Sequence, residues 1–140
     1  MRILARTFIT TAAAPAALVS VSTAATVSYS GNWPVTLTHA RAGNGTYCLT
    51  LTDNGSLGWE HSGPASLAGQ GESFPYGTFQ LIDHLLVATI QSESGTGQNA
   101  GLVFIAPASD GKLGDGTFDE VYGGEEFVSG ALAFGTKGGC

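Results

Sequence analysis

The stretch 76–91, YGTFQLIDHLLVATIQ, alternates apolar and polar positions on either side of a short polar interruption at Asp83-His84. That pattern predicts two β-strands joined by a tight turn, with Phe79 and Leu81 inward in the first and Leu86, Ala88 and Ile90 inward in the second. Residues 31–39, GNWPVTLTH, alternate in the same way, with Trp33, Val35 and Leu37 opposite Thr36 and Thr38. Pro34 lacks a ladder donor, which predicts an edge or strand-start position. In 46–53 the inward set is Tyr47, Leu49 and Leu51, and Cys48 falls on the threonine-lined outer side. Asp53-Asn54-Gly55 then carries the chemistry of a type I′ hairpin turn.

The rest of the chain is less regular. Residues 25–30 predict an exposed leader. Residues 56–70 have little pattern and predict at most a short strand near 65–67. Residues 92–99 and 107–116 predict loops. Residues 102–106, LVFIA, are an unbroken apolar run, expected to be buried on both faces or covered by another element. Residues 117–122 and 127–134 predict the last two strands around a Gly123-Gly124 turn. No segment keeps a helical period for three turns. Seven or eight short strands favour an all-β antiparallel meander, a closed or flattened up-and-down barrel, with a two-sheet β-sandwich as the alternative. Gly-Thr-aromatic occurs three times, at 45–47, 77–79 and 116–118, and predicts an aromatic layer of Tyr47, Phe79 and Phe118.

Composition adds a compartment. Residues 1–25 run from Arg2 and Arg6 through an apolar stretch to small residues, the order of a cleaved signal peptide. A single domain, 26–140, would follow. All 21 glycines lie in it, and of the five basic residues only Arg41, Lys112 and Lys137 do, against all 11 acids. Such a surface disfavours nucleic acid as a partner, and the Pro15-interrupted leader makes a poor membrane span. Cys48 and Cys140 predict one disulfide in an oxidising, secreted or periplasmic setting, with the C-terminal tail stapled across the outer face. Intermolecular pairing and two free thiols are the alternatives.

Candidate chemistry is sparse. His39, His61 and His84 are available as bases, but Gly-x-Ser-x-Gly is absent. Six acids cluster between Asp110 and Glu126 without a calcium-loop spacing, and no zinc-type ligand spacing occurs, so neither a metal nor a cofactor is expected. Glu120 falls between Phe118 and Tyr122 on the predicted inner face. A bulge turning it outward is the favoured reading, and a buried acid with a raised pKa the other. Trp59-Glu60-His61 is the best candidate for a recognition loop, since loop aromatics stack on sugars or anchor protein partners.

Gly31-Asn32-Trp33 resembles the Gly-x-Trp on which calycins, the lipocalin and avidin group of ligand-binding barrels, typically open. The resemblance covers these three residues. Thr52-Asp53 stands too early for the lipocalin Thr-Asp-x turn, and no avidin-like set of biotin contacts is present. It implies a barrel able to hold a ligand, and no ligand site is carried over from it. The candidate binding residues are therefore Trp33, Trp59, His61 and Glu120, with no catalytic residue assigned. The expectation is a monomeric, non-catalytic binding or structural module for a small molecule, glycan or protein. The alternatives are a small hydrolase using His61 or His84 with a carboxylate, and a subunit of a cell-surface assembly.

Overall fold

Successive side chains of a strand point to opposite faces, so the apolar and threonine-lined sides of this chain should become the inside and outside of a curved sheet. The structure, a computed structural model, describes residues 26–39, 43–92, 100–122 and 126–140. The leader expected over 1–25, most of the 92–99 loop and the Gly123-Gly124 turn lie outside the described residues. Ten strands follow in chain order: β1 (Gly31–His39), β2 (Gly43–Leu51), β3 (Ser62–Gly69), β4 (Glu72–Phe74), β5 (Tyr76–Ile82), β6 (Leu85–Gln91), β7 (Ala100–Ser109), β8 (Lys112–Leu113), β9 (Gly116–Tyr122) and β10 (Glu126–Phe134). Eight of them close an antiparallel barrel in the order β2-β1-β10-β9-β7-β6-β5-β3, with β3 returning to β2. Strands β4 and β8 are additional, pairing with β3 and β7. Closure leaves the barrel strands without an unpaired edge.

The lumen is packed with side chains. Val35, Leu49, Leu67, Phe79, Leu86 and Phe104 are all fully or nearly fully buried. One register row runs Phe79, Ala88, Phe104, Phe118, Gly130, so large and small residues share a level of the barrel. At its end Phe118 lies over Gly130, where an added Cβ would meet the ring at 2.6 Å. The aromatic layer is thus Phe79, Phe104 and Phe118. Tyr47 is on another row, level with Val35 and Phe134. The LVFIA run also differs from expectation: it is one-sided, with Leu102, Phe104 and Ala106 buried and Ile105 exposed. Its outward valine is half-buried and its isoleucine exposed, both β-branched residues suited to the pleat.

Two matching bulges shape the barrel. Leu67 faces Phe74 and Pro64 faces Thr78, so Ala65 and Ser66 are opposed by three residues, Pro75, Tyr76 and Gly77. Likewise Ala108 faces Leu113 and Ile105 faces Thr117, so Ala106 and Pro107 are opposed by Gly114, Asp115 and Gly116. An extra residue of this kind kinks a strand and tightens its twist, as a small barrel requires. The last bulge residue is glycine both times. A Cβ on Gly77 would lie 2.7 Å from the carbonyl oxygens of Ala65 and Thr89, and one on Gly116 would lie 2.1 Å from that of Ile105. In these two Gly-Thr-Phe runs the glycine therefore serves close strand approach more than an exit from a turn.

Several local expectations change. The unpatterned 56–70 region contains β3, a full barrel strand; its inward positions Gly63 and Ala65 are too small to register as an apolar stripe. The 107–116 region is mostly strand, turning at Asp110-Gly111, both at positive φ. Asp53-Asn54-Gly55 is not a two-residue hairpin: β2 ends at Leu51 and β3 begins at Ser62. Of these three only Gly55 has positive φ, and the Asn54 and Gly55 amides both donate to Ser62 O. Pro34 lies within β1, paired with Cys48 of β2 and one residue past the end of the β1–β10 ladder at Val35, and its carbonyl accepts the Gly135 amide.

The tail leaves β10 across the outside of β1. Gly138 donates to Asn32 O, and Cys140 is bonded to Cys48, with Cα atoms 5.9 Å apart. The staple is where the outward parity of Cys48 places it.

Candidate functional site

One end of the barrel is covered by residues 26–30, and Tyr29 is buried there against expectation. The cover is held by Asp53, whose carboxylate is only 4% exposed. Asp53 Oδ2 accepts the Tyr29 amide at 2.9 Å and lies 2.8 Å from His61 Nδ1. The Asp53 amide in turn donates to Ser30 Oγ at 2.7 Å. Tyr29 O accepts the Trp33 indole N–H at 3.1 Å, and the Tyr29 hydroxyl accepts the Gly111 amide at 3.2 Å. This is why Asp53 departs from hairpin geometry: its side chain bonds the N-terminal segment and His61.

His61 is fixed on three sides. The ring meets Tyr29 edge-on, with centroids 5.1 Å apart and an interplanar angle of 76°. Its carbonyl accepts the Leu81 amide, and Nδ1 faces Asp53. A carboxylate is an acceptor only, so Nδ1 is the ring nitrogen that donates to Asp53, and Nε2 is the one left for other contacts. Nε2 stands 4.0 Å from Glu60 Oε1. The loop bearing Trp59 and Glu60 is anchored by Ser62, whose buried hydroxyl donates to Trp59 O and accepts the Leu57 amide.

Beside His61 opens a cleft of about 610 Å³. Tyr29, Trp59 and His61 line it, with Val27, Leu81 and Ala108 as its apolar floor. Thr26, Glu60, Asp83, His84, Ser109 and Asp110 complete the wall. Asp83 and Asp110 are turn residues at positive φ, a conformation aspartate tolerates better than most residues. Trp59 is 46% exposed.

The structure brings two of the four candidate binding residues, Trp59 and His61, to this cleft. Trp33 stands behind the wall, 3% exposed, packed edge-on against Phe134 with the Lys137 ammonium 5.8 Å from its ring. Glu120 lies toward the opposite end. Its register against β7 and β10 is unbroken, so the expected bulge is not there, and the strand parity set by Phe118 turns Glu120 inward at 9% exposure. Nearby, the Tyr47 hydroxyl is 3.5 Å from Glu72 Oε2. Burial, then the charges of Glu72 and Glu120, push the Tyr47 phenol above its usual value of 10.0. His39 closes β1 at that end, away from the cleft.

Asp53, Tyr29, Asp83 and Asp110 escaped the sequence reading as site residues. Asp53 is hidden inside a turn-like tripeptide, and the other three gain meaning only when the barrel brings residues 26–30 together with its β2–β3, β5–β6 and β7–β8 connections. Chemically, the cleft offers an oriented histidine base and several carboxylates. Among the described residues no serine hydroxyl is hydrogen-bonded to His61 or His84, and no group of three metal-ligating side chains converges. No known protein family, curated protein or solved structure matches the chain.

Proposed function

We propose that the chain is a secreted or periplasmic binding module, processed by removal of residues 1–25, whose ligand sits in the cleft beside His61. The observation that carries this reading is the 610 Å³ cleft itself, backed by the half-exposed Trp59. With the lumen filled by large apolar side chains, a ligand would be met at the end of the barrel rather than inside it. The Cys48–Cys140 bond supports an oxidising compartment. A ligand-observed NMR screen of sugars, amines and short peptides tests the proposal. Hits should vanish with Trp59→Ala while the thermal midpoint stays within a degree or two of the parent, since exposed positions contribute little. Hits indifferent to Trp59→Ala would remove the cleft from consideration.

A second reading, a hydrolase, is favoured by the 2.8 Å contact of Asp53 with His61. It would use Nε2 to take a proton from an attacking water. Hydrolysis of activated esters abolished by His61→Gln, in a variant that still folds, is the result it requires. Equal rates in both proteins would end it.

A further inference from the structure

We infer that the cleft takes an organic cation, an ammonium or guanidinium head on an apolar stem, whether free or as a side chain of a peptide. This rests on the cleft being a binding site. A cluster of carboxylates alone would be ordinary solvated surface; here the carboxylates edge a concave, aromatic-backed cleft, and they decide the sign of what fits.

Among the described residues the Asp, Glu, Lys and Arg side chains of the wall are all acids: Glu60, Asp83 and Asp110. Removal of residues 1–25 would add the α-ammonium of Thr26, which also lines the cleft, and three carboxylates against one ammonium leave the wall acidic. Asp53 does not add to them as a free charge, because its carboxylate is bonded to the Tyr29 amide and His61. Among the described residues neither lysine nor arginine lines the wall. Lys137, the cation bonded to the covering segment, donates to Ser28 O and lies over Trp33, behind the wall. Asp83 and Asp110 are held by backbone turns that leave β5 and β7, so neither carboxylate is carried on a wandering loop. The exposed Trp59 supplies the aromatic face to which ammonium and guanidinium groups are drawn. The apolar floor of Val27, Leu81 and Ala108 suits a methylene stem. A neutral sugar can stack on Trp59 but brings no positive charge to the three carboxylates.

The test is titration of the intact, oxidised protein, followed by backbone amide shifts in NMR. The probes are agmatine as a free cation, acetyl-arginine methylamide as a peptide unit, and acetyl-citrulline methylamide as the neutral match for the latter. Agmatine or the arginine derivative should shift the amides of Trp59, His61 and Asp110 and bind at least about tenfold more tightly than citrulline. That preference should fall to near unity in Asp83→Asn/Asp110→Asn, a pair that keeps the turns because asparagine also tolerates positive φ. If agmatine matches the arginine derivative, the head group is enough; if only the latter binds, the ligand is a peptide. Citrulline binding as well as arginine would overturn the cation but leave the binding cleft standing. Silence from all three, and from neutral sugars added afterwards, would overturn both.

Discussion

The two ends of this barrel solve the same problem differently. At the cleft end, polar side chains are tied to backbone amides and carbonyls: Asp53 to Tyr29, Ser30 to Asp53, Ser62 to Leu57 and Trp59. At the other, an acid of β4 and an inward acid of β9 approach the phenol of Tyr47. Bonds to fixed backbone groups satisfy a buried carboxylate and hold a surface in shape. A phenol among carboxylates instead changes how firmly it keeps its proton. The first arrangement builds walls; the second adjusts a titration.

The comparison can be broken experimentally, beginning with the tail that crosses the outside of β1 and reaches the covering segment through Lys137. Cys48→Ala/Cys140→Ala opens a loop with a sequence separation of 92 and should lower stability by roughly 4–5 kcal/mol in the chain-entropy limit. Urea unfolding measures this, and hydrogen exchange should rise first at Gly138. A loss spread evenly over both ends would mean the staple does not favour the cleft end.

Gly116→Ala comes next. Its Cβ would press into the Ile105 carbonyl, and overpacking of this sort costs about 1–3 kcal/mol or more. Gly101→Ala, with nothing within 4 Å of the added carbon, should be neutral or slightly stabilising by the same unfolding assay.

Asp53→Ala would strand the Tyr29 amide and His61, for a loss of about 1–3 kcal/mol and faster exchange at Tyr29. Glu72→Ala at the opposite end should cost no more than about 0.5 kcal/mol. Equal losses would erase the distinction between the ends.

The smallest effect is alkaline. Tyr47 holds its proton above the ordinary value, so its ionisation, followed by absorbance at 295 nm, should have its midpoint above pH 10.0. Glu72→Gln should bring its midpoint down. The folded chain keeps that proton where the unfolded chain has lost it. The associated stability is therefore whole below the unfolded value of 10.0 and is lost as pH rises through the folded one. Tyr47→Phe should remove this component of the alkaline decline.

Large residues made the barrel readable. Trp33, Val35, Leu49, Phe79 and Ile90 declare their faces by size and period, and the parity of Cys48 foretold an outer staple. What stayed hidden depended on small residues and on distance. Strand β3 faces inward with Gly63 and Ala65, which an apolar count passes over. The bulges at Gly77 and Gly116 show as Gly-Thr-Phe, but nothing in that tripeptide says that a neighbouring carbonyl is the reason. At the site, Trp59 and His61 stood out as rare side chains in an unpatterned loop. Their partner Asp53 did not, because a carboxylate before Asn-Gly reads as turn chemistry. Asp83 and Asp110, far apart in the chain, meet the cleft only through closure.

Closure also sets an order of events. The barrel shuts by laying Val35 against Phe134, so the seam joins nearly opposite ends of the folded chain. Until β10 arrives, β1 offers a bare side to any passing strand, and pairing over such a span is slow. Hairpins such as β5–β6 can form early, but the seam waits for the whole chain to be present. A molecule interrupted before residue 131 would lack every β10 partner of β1 and remain an open, adhesive sheet.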